Sequence, residues 1–134
     1  MEDQIIKIIL ADDSTTFLDG LQLILSRNKQ YKIIEVCHNG QELIESKMLD
    51  SANLILTDID MPVFDGIEAA KQINFKHPKL PMIALTMHQE KVFLQDMILA
   101  GFKGFIYKPE IPTTIHEIIK KVINSEFIFP ENLK

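Results

Sequence analysis

The chain has 134 residues, enough for one ordinary domain and short for two. Its 19 acidic residues against 14 basic ones leave a net charge of −5, and Arg27 is the sole arginine, a balance that argues against nucleic acid or an anionic membrane as a direct partner. The single cysteine, Cys37, excludes an intramolecular disulfide; the start Met1-Glu2-Asp3 is acidic where a secretory signal is basic; the longest apolar runs are far too short for a membrane span, so a cytoplasmic location is expected.

The first apolar run is Ile5-Ile6-Lys7-Ile8-Ile9-Leu10-Ala11, and behind it Phe17, Leu21, Ile24 and Leu25 fall on one face of a helix. The second run, Lys32-Ile33-Ile34-Glu35-Val36, alternates more, as a less buried edge strand does; Leu43, Ile44 and Lys47-Met48 continue a helical pattern after it. Leu54-Ile55-Leu56-Thr57 is the third strand. The helix behind it opens at Asp65-Gly66-Ile67-Glu68, where Asp65 can cap and Glu68 can reach back, and Pro78 and Pro81 bracket its exit. Met82-Ile83-Ala84-Leu85 is the fourth strand, and the fourth helix runs from about Gln89 to Ala100 with Gly101 as its stop. Phe105-Ile106-Tyr107 is the fifth strand. In the last helix Ile115, Ile118, Ile119, Val122 and Ile123 keep the i, i+3, i+4 rule.

Most of these strands are short, β-branched and apolar on both faces, which is how a parallel sheet covered on both sides reads. Five alternating strand-helix units predict an α/β domain, a doubly wound five-stranded parallel sheet flanked by five helices. In such sheets ligands sit beyond the carboxyl ends of the strands. Those ends carry Asp12-Asp13 on the first strand, Asp58 on the third, Thr86 on the fourth and Lys108-Pro109 on the fifth. Three carboxylates, a hydroxyl and an ammonium are thereby brought to one rim. Crowded carboxylates repel, so some stay protonated or a cation joins them, and a hard divalent ion such as Mg2+ suits oxygen ligands. A carboxylate beside a metal and a lysine is also a plausible phosphoryl acceptor. Each residue alone has a plainer reading as a cap, a loop residue or a solvated side chain; their joint occurrence on successive strand ends does not.

The segments Ile9-Leu10-Ala11-Asp12-Asp13-Ser14, Leu56-Thr57-Asp58-Ile59-Asp60-Met61-Pro62, Asp65-Gly66, Ala84-Leu85-Thr86 and Gly101 through Pro109 resemble two-component response-regulator receiver domains, over about residues 5 to 125. The resemblance implies the flavodoxin-like strand order 2-1-3-4-5. It implies that Asp58 accepts a phosphoryl group from a histidine kinase or phosphotransfer protein. Asp13 and Asp58 would bind Mg2+ with the backbone carbonyl of Asp60, and Asp12 would act through a water. Lys108 would contact the phosphoryl oxygens, Thr86 would follow the phosphoryl group inward, and Phe105 would be the aromatic switch, with Tyr107 not to be mistaken for it. Asp60 and His88 occupy positions that tune phosphoryl lifetime in such proteins, and Lys108-Pro109 matches a bond that is commonly cis there.

Val92, Phe93, Leu94, Met97, Ile98 and Leu99 cover more than one face of the fourth helix, which therefore either lies deep or meets a partner. The resemblance favours a homodimer through helix four, strand five and helix five, and a charge at Leu94 or Ile98 would then weaken self-association. The tail Glu126-Phe127-Ile128-Phe129-Pro130-Glu131, together with Thr86-Met87-His88, is similar to receivers of LuxR-type helix-turn-helix regulators. This divides the chain into a receiver, 1–125, and a tail, 126–134, leading toward an absent output domain. His38, His77, His88 and His116 show no zinc spacing.

Two other functions compete. Asp58-Ile59-Asp60 resembles the acid pair of haloacid-dehalogenase-type phosphatases, although the acidic pair Asp12-Asp13 precedes it rather than following. A flavodoxin-like electron carrier shares the sheet order but needs a phosphate-binding loop after the first strand, where Asp12-Asp13 would repel a flavin phosphate.

Overall fold

The computed structural model describes residues 4–128. The expectations for Met1-Glu2-Asp3 and for Phe129 to Lys134 lie outside the described residues. In chain order the elements are β1 (Ile6–Ala11), α1 (Thr15–Leu25), β2 (Tyr31–Cys37), α2 (Gly40–Ile44), β3 (Leu54–Asp58), α3 (Gly66–Lys76), β4 (Met82–Thr86), α4 (Lys91–Leu99), β5 (Gly104–Tyr107), a 3-10 turn (Lys108–Glu110) and α5 (Ile111–Ile123). The five strands form one parallel sheet in the order β2-β1-β3-β4-β5, as expected.

Alternation along the central strands builds a core on each side. Ile8, Leu10, Leu54, Leu56, Ile83 and Leu85 pack with α1 and α5 through Leu18, Leu21, Leu25, Ile115 and Ile119. Ile9, Ala11, Ile55, Met82 and Ala84 face the other way and pack with α2, α3 and α4 through Leu43, Ala69, Ala70, Ile73, Leu94 and Met97. Both faces of β3 and β4 are consequently buried throughout, which explains why those strands read as unbroken apolar runs. The edge strand β2 is mostly half-buried, and its register against β1 slips between Ile8 and Ile9.

Helix starts follow the capping residues. Ser14 Oγ accepts from the Phe17 amide, Asn39 Oδ1 from the Glu42 amide and Asp65 Oδ1 from the Glu68 amide. Three local expectations are corrected. The second helix ends at Ile44, so Lys47 and Met48 lie in turns; there Ser46 Oγ accepts from the Met48 amide and donates to the Glu35 carboxylate, drawing the chain away from helical bonding. Helix α4 does not lie deep: Leu94 and Met97 are buried, whereas Val92, Ile98 and Leu99 are exposed. Leu94 belongs to the core, so a charge there attacks the fold and not merely a surface. Finally, no cis peptide bond occurs among the described residues, Lys108–Pro109 included. Pro109 instead sits at the start of the 3-10 turn, where its fixed φ suits a helical first turn and its missing N–H goes unneeded.

Candidate functional site: a carboxylate rim holding a lysine

Strand register places the site. Ala11 faces Thr57, so Asp12 comes level with Asp58 on the next rung. Asp58 faces Leu85 and Thr86 faces Tyr107, so Thr86 and Lys108 follow one step beyond. Asp12, Asp58 and Thr86 are buried, while Asp13 is exposed. One carboxylate oxygen each from Asp12, Asp13 and Asp58 lies within 4.8 Å of the others.

The end of β3 is pinned from several directions. The Thr57 hydroxyl donates to the Asp58 carbonyl at 2.9 Å, and Asp58 Oδ1 accepts from the Ile59 amide at 2.9 Å. Gly66, at the start of α3, approaches so closely that a Cβ there would stand 2.1 Å from the Asp58 carbonyl oxygen. Asp12 Oδ1 accepts from the Ser14 amide, which fixes that carboxylate at the head of α1.

Lys108 Nζ donates to Asp12 Oδ2 at 2.9 Å and lies 3.5 Å from Asp58 Oδ1. The same ammonium stands 4.3 Å from the centre of the Phe17 ring, a cation–π contact. Burial pushes the Asp58 carboxyl up to about 6; Lys108 pulls the other way, and the charge of Asp12 adds to the rise. Desolvation and a like charge thus outweigh one shared lysine at Asp58, and three carboxylates against one ammonium give the pocket a formal charge of −2. All its donors are hard oxygens, the kind that Mg2+ accepts, and they converge on one place.

A second group flanks the pocket. His88 Nε2 lies 2.6 Å from Asp60 Oδ2, its Nδ1 lies 3.3 Å from Glu90 Oε1, and its ring stacks on Phe93 at 4.0 Å between centroids. Slight burial opposes the charge on His88, but Asp60 and then Glu90 outweigh it and raise its pKa above the ordinary value. This clasp joins the loop after β3 to the loop after β4. Beneath it, Thr86 Oγ1 accepts from the His88 amide at 2.9 Å. Phe105 is half-buried against the core under α4.

The fold therefore gathers Asp12, Asp13, Asp58 and Lys108 into one cluster and pairs Asp60 with His88. Sequence reading missed Phe17 as the seat of Lys108, and Glu90 and Phe93 as the other walls around His88. Phe17 was visible only as one apolar position of a helical face; its partner lies 91 positions further along the chain, a contact that spacing cannot reveal.

Residues 8–120 match the response regulator receiver domain family. The chain belongs to this family. It is similar to the transcriptional regulatory protein YdfI of Bacillus subtilis (strain 168), with 32% identity over 129 residues covering 96% of this chain and 60% of the relative. It is also similar to the transcriptional regulatory protein LnrK of the same strain, at 28% over 128 residues, 96% of this chain and 58% of the relative. The receiver domain thus spans about three-fifths of the length of these curated relatives. Its fold superposes on a LuxR-family two-component response regulator from Aurantimonas sp. SI85-9A1 with a TM-score of 0.88 at 20% identity, covering 97% of this chain and 93% of that one. The non-phosphorylated receiver domain of the stress response regulator RcsB from Escherichia coli superposes with a TM-score of 0.84 at 25% identity, over 96% and 100% of the two chains. Membership identifies the protein as a receiver domain of two-component signalling, and no helix among the described residues is long and apolar enough to cross a membrane.

Proposed function

We propose that Asp58 is the phosphoacceptor of this receiver domain, taking its phosphoryl group from the phosphohistidine of a sensor histidine kinase or phosphotransfer protein. The observation that carries this reading is the Lys108 ammonium lodged between Asp12 and Asp58, inside a rim of three carboxylates that still carries excess negative charge. An Asp58 carboxylate oxygen bonds to phosphorus as the donor's P–N bond breaks, and the imidazole leaves with a proton. Lys108 then exchanges part of its contact with Asp12 for the new phosphoryl oxygens. The Thr86 hydroxyl accepts from the His88 amide and so keeps its own proton to donate to a phosphoryl oxygen. Asp13, Asp58 and the carbonyl of Asp60, with Asp12 through water, would hold Mg2+, which supplies positive charge against the phosphoryl oxygens.

Inward movement of Thr86 gives Phe105 room to turn toward the core under α4, which alters the surface of α4, β5 and α5. The exposed Val92, Ile98 and Leu99 make that surface apolar and suited to a second copy of the chain. Residues 1–125 form the receiver and 126–134 lead toward an output domain that acts on transcription, a reading supported by the regulatory relatives and by the length the chain leaves uncovered in them. It works in the cytoplasm, on one aspartate rather than on a diffusible phosphomonoester, so it is a signalling domain and not a turnover enzyme.

The test is acetyl phosphate, and separately beryllofluoride, each with Mg2+ on wild type and on Asp58→Ala. Intact mass is expected to show one phosphate that depends on Asp58, lost slowly. Many turnovers of added phosphomonoester would support the phosphatase reading instead.

A further inference from the structure

After α5 the chain turns through Ser125, a non-glycine residue at φ 70°. The Ser125 amide donates to the Val122 carbonyl at 2.9 Å and the Glu126 amide to the Lys121 carbonyl at 3.0 Å, the paired bonds of a helix end that reverses direction. The next three residues then run along the outer edge of β5. Ile128 forms a parallel bridge with Gly104: its amide donates to the Lys103 carbonyl at 2.9 Å, and its carbonyl accepts from the Phe105 amide at 3.3 Å. Lys103 Nζ also stands 4.8 Å from the centre of the Phe127 ring. A Cβ on Gly104 would lie 3.3 Å from the Ile128 carbonyl oxygen, so the missing side chain lets the strap come this close.

An edge strand carries a row of N–H and C=O groups that any extended segment can pair with. Here the occupant is the chain's own Glu126–Ile128. The strap also sits at one end of a very short strand. β5 spans Gly104–Tyr107; Phe105 is bonded to the strap, and Lys108, directly after the strand, is bonded to the carboxylate rim. About 10 Å of extended chain separates the two attachments. A change at either end has little slack in which to dissipate, and the longer of the two strap bonds, 3.3 Å, is the one nearer the rim.

We propose that the outer edge of β5 is a strand-acceptor surface filled by Glu126–Ile128, and that phosphorylation of Asp58 loosens this strap through Lys108 and the Phe105 amide. The proposal rests on the phosphoacceptor reading of Asp58. A new phosphoryl group draws Lys108 toward itself, shifts β5 along the strand direction and opens the Phe105–Ile128 bond. The seat of Ile128 against β5 then changes with the state of the site. Linkage makes the effect reciprocal: whatever releases the strap favours the phosphorylated state by the same factor.

Amide hydrogen exchange on the wild-type chain, with and without beryllofluoride and Mg2+, tests the coupling, with intact mass and the Asp58→Asn variant alongside. The Phe105 and Ile128 amides should exchange several-fold faster in the adduct, and should stay at the free-state rate in Asp58→Asn. Ile128→Pro, which removes the donor to the Lys103 carbonyl, should bind beryllofluoride several-fold more tightly, while Phe127→Ala, which leaves both backbone bonds, should change affinity less. An adduct that leaves both amides unchanged overturns the strap proposal alone, as does equal affinity in Ile128→Pro. Faster exchange in Asp58→Asn also overturns it, because the effect would then bypass the site. Failure of wild type to form any Asp58-dependent adduct overturns the phosphoacceptor reading and the strap proposal with it.

Discussion

Asp58 concentrates the conflict between fold and function. Burial raises its pKa from 3.8 to about 6, so the folded chain holds the proton more tightly than the unfolded chain does. Its contribution to stability is therefore greatest below pH 4 and is lost as pH rises through 6, when the buried carboxyl ionises. A rise of this size corresponds to about 3 kcal/mol. Asp58→Asn should accordingly stabilise the metal-free protein by up to about 3 kcal/mol at pH 8 and by little at pH 4, measured by denaturant unfolding. Equal stability at both pH values would remove the claim that this carboxylate is strained. The resemblance assigns Asp60 and His88 a different quantity, the lifetime of the phosphoryl group. Their 2.6 Å contact spans the two loops beside the pocket, and we propose that it narrows the approach of water to Asp58. Asp60→Ala and His88→Ala should each speed loss of the phosphoryl group several-fold, followed by intact mass after removal of the donor; unchanged rates in both variants would discard that role.

Among the elements, the turn from β3 to α3 holds the site in place most directly. Gly66 lies against the Asp58 carbonyl, and a methyl group at 2.1 Å from that oxygen forces either the helix start or the strand end to move. Gly66→Ala should cost about 1–3 kcal/mol and slow adduct formation, whereas a surface change elsewhere on α3 should do neither. In the same turn Val63 adopts φ 72°, bridged by a 2.7 Å bond from the Phe64 amide to the Pro62 carbonyl. A β-branched residue there carries about 1–2 kcal/mol of strain, and glycine returns roughly 0.5–1 of that as chain entropy. Val63→Gly should therefore raise stability by up to about 1 kcal/mol in thermal unfolding. These turns mark the limit of what the sequence discloses. Strand apolarity, the Asp65 cap and the spacing of α5 are local signals, and they located the sheet, the helices and the rim. The end of α2 depends on Ser46 meeting Glu35 across a strand, and the seat of Lys108 on Phe17 depends on closure of the whole sheet. Both are tertiary events that no window of neighbouring residues contains.

For the molecule as a whole, a large share of the formal charge sits at one rim. Asp12, Asp13, Asp58 and Lys108 contribute −3 and +1, a formal −2 of the −5 total, so the remaining chain carries only −3. The site is thus disproportionately acidic, while α4 beside it exposes Val92, Ile98 and Leu99. Leu99 is 80% exposed and Leu94 is 2% exposed, although both lie on the same nine-residue helix. Burying an exposed apolar side chain contributes about 1.5–3 kcal/mol, so several together can hold a second copy of the chain. A charge at an exposed position keeps that patch in water without opening a cavity. If α4 carries the proposed contact with a second copy, Leu99→Glu should leave unfolding within about 0.5 kcal/mol of wild type and abolish any self-association seen with beryllofluoride and Mg2+, read by sedimentation. Leu94→Ala, which empties a packed site, should instead cost about 2–5 kcal/mol. A Leu99→Glu chain that still associates like wild type would argue for a partner surface away from Leu99, because at 80% exposure it is the most exposed of the three apolar side chains that α4 presents.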